Sequence, residues 1–150
     1  MRIIGFVLVV AGTLLALGAN LTAMLDVVST VIVVGLTLFG LLAGFGRRIG
    51  AAFRAVFTSR PGRDALLTGL AVLERGKGLA VGSGVLGALI GMVVMLMKLD
   101  SPADLGPGMA LDLLTILYGI GLAYGLFLPL QASLRQKLAQ EMAEPEPEVV

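Results

Sequence analysis

Only a few side chains in the long apolar stretches of this sequence can take part in acid–base or ion chemistry, and Asp112 is the foremost of them. Thr115 and Gly119 follow it at positions i+3 and i+7, so the three residues share one face of a helix. A carboxylate in an apolar helix is costly unless it faces protein groups or water, and such residues usually belong to ion routes. The strip is therefore a candidate ion pathway.

The sequence leaves several roles open for the two polar members of this strip. Asp112 either stabilises the first turn of its helix, lines or gates an ion entrance, or forms a hydrogen bond between subunits. Thr115 either bonds back to a carbonyl of its own helix or presents its hydroxyl to a pore.

Residue types that support most enzyme chemistry are missing. The chain contains no Cys and no His, which excludes disulfides, thiolate chemistry and the commonest transition-metal ligand. We expect no enzymatic activity, no metal and no cofactor. No nucleic-acid partner is expected either.

The composition is that of a membrane protein, with 57% hydrophobic and only 14% charged residues. Four apolar runs are long enough to cross a bilayer as helices, and they lie at residues 3–19, 24–46, 79–97 and 109–131. Continuous runs of this length favour helices over barrel strands. The expected fold is an all-α membrane domain over residues 1–138 with four transmembrane helices. A disordered acidic tail is expected at 139–150.

Basic residues predict the orientation. They cluster between the second and third runs and after the fourth, so these regions should be cytoplasmic. Both termini then face the cytoplasm, and the protein is expected to be a multi-pass membrane protein. The first run has a weaker alternative, a cleaved signal peptide.

The segment between the second and third runs is expected to form a short cytoplasmic helical hairpin. The second helix should continue past the membrane, turn at residues 59–62, and lead into a short helix at about 63–75. The basic residues of this cytoplasmic surface are Arg47, Arg48, Arg54, Arg60 and Arg63. They suit either lipid headgroups or a cytoplasmic partner.

Small residues predict where the helices touch. Helices in a membrane associate through close backbone approach at small residues. The third run carries such a strip at Gly84, Gly87, Ala88 and Gly91. In the fourth run, Gly121 and Gly125 lie at G-x-x-x-G spacing, and we expect them to pack against another helix.

Residues 84–138 closely resemble the last two membrane helices of MotA-type flagellar stator subunits in the MotA/TolQ/ExbB superfamily. The resemblance rests on the glycine strip, the "LGPGMA" start of the fourth helix, "LLTILYG", and the "LPL" exit that contains Pro129. Residues 1–46 are similar to the first two helices of the family.

This resemblance implies a pentamer around two copies of a single-span partner of the MotB/ExbD/TolR type, whose membrane aspartate binds and releases the ion. Helices three and four would form the inner wall. Sodium-type members carry threonine at the positions of Ala88 and Ile116, which offer no oxygen here. Since a hard cation needs oxygen ligands, the resemblance favours protons over sodium.

The chain departs from the family in two places. The segment between helices two and three is much shorter than the family's rotor-binding cytoplasmic domain, so the usual rotor contacts are not expected. Val81 stands where flagellar members have a proline. We therefore interpret the chain as a short, proton-conducting, MotA-like stator subunit of a rotary complex. The alternatives are a structural membrane scaffold without ion flux and a small-molecule transporter.

Overall fold

The computed structural model describes residues 26–58, 61–97 and 105–143. The regular elements within these ranges are all helical. They are α1 (Val27–Phe45), α2 (Arg48–Phe57), α3 (Arg63–Met97), α4 (Leu105–Ile120), a π-helical segment (Gly121–Phe127) and α5 (Leu128–Ala143). The all-α prediction is confirmed for this part of the chain.

Three of these helical stretches are long and apolar enough to cross a membrane: Val27–Phe45, Arg63–Met97 and Leu105–Ala143. The predicted first span at 3–19 lies outside the described residues, as does residue range 144–150 of the predicted tail. The count of four spans and the cytoplasmic placement of both termini stay predictions.

Helix α1 is capped at both ends by residues next to it in the sequence. At its start, the Asp26 side chain accepts a hydrogen bond from the Ser29 backbone N–H at 2.8 Å, as an N-cap residue does. At its end, Gly46 has φ +50°, and its N–H donates to the Leu42 carbonyl. Glycine adopts this left-handed conformation without the penalty of a side chain. The predicted continuation of this helix past the membrane is therefore wrong, because a separate helix, α2, begins at Arg48.

The predicted short helix at 63–75 and the predicted span at 79–97 are parts of one helix, α3, which is 35 residues long. The joined helix contains Gly76 and Gly78, and each glycine in a helix interior costs about 1 kcal/mol relative to alanine. Gly76 is buried beneath the Phe127 ring, so tertiary packing compensates for this low propensity. The predicted hairpin consists of α2 and the beginning of α3.

The last helical stretch begins and ends outside the predicted bounds of 109–131. It starts at Leu105, because Pro107 lies in the first turn, where a missing N–H breaks no intrahelical hydrogen bond. It ends at Ala143, so residues 139–143 of the predicted disordered tail are helical. In its middle, the Leu128 N–H bonds to the Ala123 carbonyl five residues back, which is the π-helical pattern just before Pro129.

The apolar core lies around the middle and first half of α3. Leu41 from α1, Leu73 from α3 and Leu134 from α5 are fully buried there, together with the Phe127 ring. Away from this core, large apolar side chains cover the outside of the bundle. Phe39, for example, is 72% exposed in the single chain, as expected for a surface that faces lipid or another subunit.

Candidate functional site: a buried polar line beside the α3–α4 contact

Helices α3 and α4 touch through their backbones at Gly84 and Gly119. A Cβ atom placed on Gly84 would lie 2.9 Å from the Gly119 Cα, and one on Gly119 would lie 2.6 Å from the Ala80 carbonyl oxygen. Neither position has room for a side chain. Gly119, which the sequence placed on the polar strip, thus lies in the helix contact itself, opposite Gly84.

The other two glycines of the predicted α3 strip also face α4, but they lie under side chains. A Cβ on Gly87 would be 2.9 Å from the Thr115 Cγ2 methyl and 3.1 Å from the Ile32 Cγ2 methyl. A Cβ on Gly91 would overlap the Asp112 carboxylate. The strip therefore makes room for the two polar residues that the sequence singled out.

A line of hydrogen bonds joins α4 to the beginning of α1. The Thr115 hydroxyl donates to the Ser29 hydroxyl at 2.8 Å, and the Ser29 hydroxyl donates to the Asp26 carboxylate. The Asp26 N–H donates in turn to the Tyr118 hydroxyl at 3.0 Å. Ser29 and Thr115 are buried, so apolar helices enclose the middle of this polar line.

One of the two interpretations of Thr115, the bond to its own helix, has a counterpart in the structure, and the pore-facing role stays a prediction. Its hydroxyl lies 3.0 Å from the Leu111 carbonyl oxygen, which is the expected bond to its own helix. It also reaches Ser29 on another helix. Sequence reasoning missed Ser29, although the Asp26-x-x-Ser29 spacing is that of a helix cap.

Asp112 is buried, with 7% of its surface exposed, and its Oδ2 atom has no hydrogen-bond partner among the described residues. It lies about two turns after Leu105. The interpretation as a first-turn residue is therefore wrong, because the N–H groups exposed at a helix start belong to the residues before it. An ionised Asp costs about 2.5–3.5 kcal/mol at the centre of a membrane helix. Within the described residues, no hydrogen bond to Oδ2 offsets this cost.

Comparison with known proteins shows which family the chain with this polar line belongs to. The sequence profile of the MotA/TolQ/ExbB proton channel family matches residues 49–146. The chain belongs to this family. The match includes nearly all of α2 and the whole of α3, α4 and α5, and with them Gly91, Asp112 and Thr115, whereas Asp26 and Ser29 precede it.

Individual relatives agree with this family membership. The chain is 43% identical over 74 residues to the uncharacterized protein YtxD of Bacillus subtilis. The matched stretch covers 49% of this chain and 27% of YtxD. It is 38% identical over 79 residues to Motility protein A of Aquifex aeolicus, covering 53% of this chain and 31% of that protein. It is 43% identical over 58 residues to Chemotaxis protein PomA of Vibrio alginolyticus, covering 39% of this chain and 23% of PomA. The chain thus spans less than a third of the length of these relatives.

The remaining predicted pathway residues of this MotA/TolQ/ExbB member lie near the same contact. Ala88 is buried, with 3% exposure, and Ile116 is half-buried. Gly121 and Gly125 face away from it, since a Cβ on either would meet no described atom within 4 Å. Their packing role stays a prediction, and within the described chain they offer an open surface.

A second hydroxyl pair joins α1 to α3 closer to the core. Thr37 and Ser83 lie 2.9 Å apart through their oxygens, and both are buried. The Thr37 hydroxyl lies 2.7 Å from the Val33 carbonyl oxygen, and the Ser83 hydroxyl lies 3.0 Å from the Ala80 carbonyl oxygen. Their hydrogen-bonding capacity is used within the chain, so this pair contributes to helix packing.

The basic residues predicted at the hairpin surface are exposed where the structure describes them, namely Arg47, Arg48, Arg54 and Arg63, and Arg60 lies outside the described residues. A different cation makes the specific contact of this region. The Lys137 ammonium of α5 donates to the carbonyls of Val56 at 2.6 Å and Thr58 at 2.7 Å, with Ala55 at 3.3 Å. It thereby caps the carbonyl end of α2, where positive charge is favourable.

Proposed function

We propose that this chain is the proton-conducting subunit of an energy-transducing, MotA-like membrane complex. The observation that carries the proposal is the hydrogen-bonded polar line of Thr115, Ser29 and Asp26, which runs between helices of membrane length. Thr115 lies in the stretch that matches the proton channel family. Polar groups in such places mark ion routes in membrane proteins. We place Ala88, Asp112, Thr115, Ile116 and Gly119 along this route.

The proposed assembly is five copies of the chain around two copies of a single-span partner of the MotB/ExbD/TolR type, in the inner membrane of a bacterium. Large apolar side chains on α3 and α4 support it, since Leu89 and Leu117 are about half exposed in the single chain and need cover from lipid or protein. In this assembly, helices of a neighbouring subunit would pack closely against Gly121 and Gly125.

Protons are the proposed ion. The side chains of Ala88 and Ile116 carry no oxygen, and the Thr115 hydroxyl is already engaged with Ser29. A dehydrated sodium ion needs several oxygen ligands, whereas a proton needs only one acceptor at a time. The exposed arginines of the hairpin are proposed to meet anionic lipid headgroups, with a cytoplasmic partner as the alternative and no rotor contact of the usual kind.

Co-expression with a single-span protein of the MotB/ExbD/TolR type tests the proposal. The purified complex should have a native mass of five chains plus two partners. In lipid vesicles it should carry protons, as measured by an enclosed pH-sensitive dye. A closed bundle of this chain alone, with no room for guest helices and no proton flux, would instead identify a structural scaffold.

A further inference from the structure

We infer that Asp112 is a second proton-binding site, carried by this chain itself, which takes up and releases a proton as the ion passes. This inference rests on the proposed function and adds to it, because the resemblance places the main ion-binding carboxylate on the partner. One carboxylate oxygen of Asp112 accepts the proton to give the neutral acid and later returns that same proton. The step therefore needs no other reactant.

The first support is the surroundings of the carboxyl group. Among the described residues, the ionisable groups on the elements that pack around Asp112 are Asp26 before α1 and Tyr118 on α4. The facing part of α3, from Gly78 to Met97, carries no charge, and neither does α1. No described cation is therefore placed to hold Asp112 permanently ionised, and a neutral acid is the form that this apolar setting favours.

The second support is the free oxygen. Asp112 Oδ2 is buried and has no described hydrogen-bond partner. Buried polar atoms are nearly always paired, so an unpaired one points to a group whose partner comes and goes. A proton, delivered by water or by an acid of the partner helix, is a ligand of this kind.

The third support is the space that Gly91 provides. The Asp112 carboxylate lies directly against Gly91, where any larger residue would overlap it. One turn further along α4, the Thr115 hydroxyl donates to Ser29, and the Ser29 hydroxyl donates to Asp26 at the beginning of α1. Asp112 thus lies beside a route of hydroxyl and carboxyl groups that can pass protons.

Infrared difference spectra of the full chain in lipid vesicles, recorded between acid and alkaline pH, test the site without the partner. The wild-type chain should show the carbonyl band of a carboxylic acid that titrates. The chain has 10 Asp and Glu side chains that can contribute to this region. The component from Asp112, called the Asp112 band, should be lost in Asp112→Asn, shift in frequency in Asp112→Glu and persist in Asp26→Asn. An Asp112→Asn spectrum identical to that of the wild type would overturn the inference.

A matched pair of glycine variants tests the role of the space at Gly91. Gly91→Ala should change the frequency or titration midpoint of the Asp112 band, because the methyl group displaces the carboxyl. Gly82→Ala on the same helix, where a Cβ meets no described atom within 4 Å, should leave both unchanged. Equal spectra for the two variants would refute the part assigned to Gly91.

Proton flux with the co-expressed single-span protein separates this inference from the proposed function. Flux should fall by roughly a hundredfold in Asp112→Asn, the lower end of the scale for losing one proton-transfer group. If wild-type complexes show the Asp112 band but carry no protons, the proposed function is wrong and the proton-binding site at Asp112 is retained. Undiminished flux in a variant that has lost the band would overturn the inference.

Discussion

The two ends of the helix bundle differ in the side chains that fill the space between the helices. At the Asp112 end, which comprises Asp26, Ser29, Gly91, Asp112 and Thr115, polar groups are buried and one carboxyl oxygen is unpaired. At the Lys137 end, which comprises Gly69, Gly76, Phe127, Leu134 and Lys137, apolar side chains fill the space over glycines, and Lys137 caps a helix. The difference indicates that the Lys137 end provides stability, whereas the Asp112 end, where we propose ion chemistry, buries polar groups.

The largest effect on stability should come from the Lys137 end. Phe127→Ala removes a buried ring that packs on Gly76, and the cavity should lower the free energy of unfolding by about 3 kcal/mol. Thermal unfolding of the purified protein measures this. The control is Phe39→Ala, which removes an exposed ring and should change little. Equal losses for both variants would contradict a core centred at this end.

The next largest loss of stability should come from the contact between α3 and α4, which lies between the two ends. Gly84→Ala forces α3 away from Gly119 and should cost about 1–3 kcal/mol, since overpacking shifts the backbone. Gly82→Ala, on the open side of the same helix, is the matched control and should be neutral or slightly stabilising. The same unfolding measurement decides, and a neutral Gly84→Ala would refute close backbone contact.

Removing the cap on α2 should have a smaller and more local effect. Lys137→Met retains the apolar stem but loses the bonds to the Val56 and Thr58 carbonyls, at a cost of about 1 kcal/mol. Faster hydrogen exchange of the α2 amides should reveal it. Arg135→Met removes an exposed cation nearby and should leave that exchange unchanged. Unchanged exchange in both variants would mean that Lys137 does not hold α2.

The smallest effect on stability should belong to the polar line, although its effect on flux should be clear. Thr115→Val removes the bond to Ser29, and hydrogen bonds between membrane helices contribute only about 0.6 kcal/mol on average. Proton flux should fall while the melting temperature hardly changes. Thr30→Val, at an exposed position of α1, serves as the control. A normal flux in Thr115→Val would remove this residue from the ion route.

The two ends also differ in what the sequence could predict. Apolar runs predicted the membrane helices, and the glycine spacing of α3 predicted which side of that helix meets α4, because both signals are local. The bond between Thr115 and Ser29 joins residues 86 positions apart, and no local pattern encodes such a contact. Helix α4 starts before the predicted span, at Leu105, because a proline in the first turn is compatible with a helix.

Family resemblance supplied what local patterns could not, and the profile match confirms the family. It did not indicate the helix break at Gly46, which depends on a single positive φ angle. Nor did it indicate that Asp112 lies inside its helix rather than at its start. That correction matters for function, because it removes the helix-start explanation for a buried carboxyl.

The π-helical segment Gly121–Phe127 lies between the two ends on one continuous helical stretch. A π turn holds more residues than an α turn, as if one residue had been inserted into an ordinary helix. The rotational phase of the helix is therefore reset at this segment. The half that carries Asp112 and the half that carries Lys137 can each keep their own neighbours, and a change in one half need not alter the register of the other.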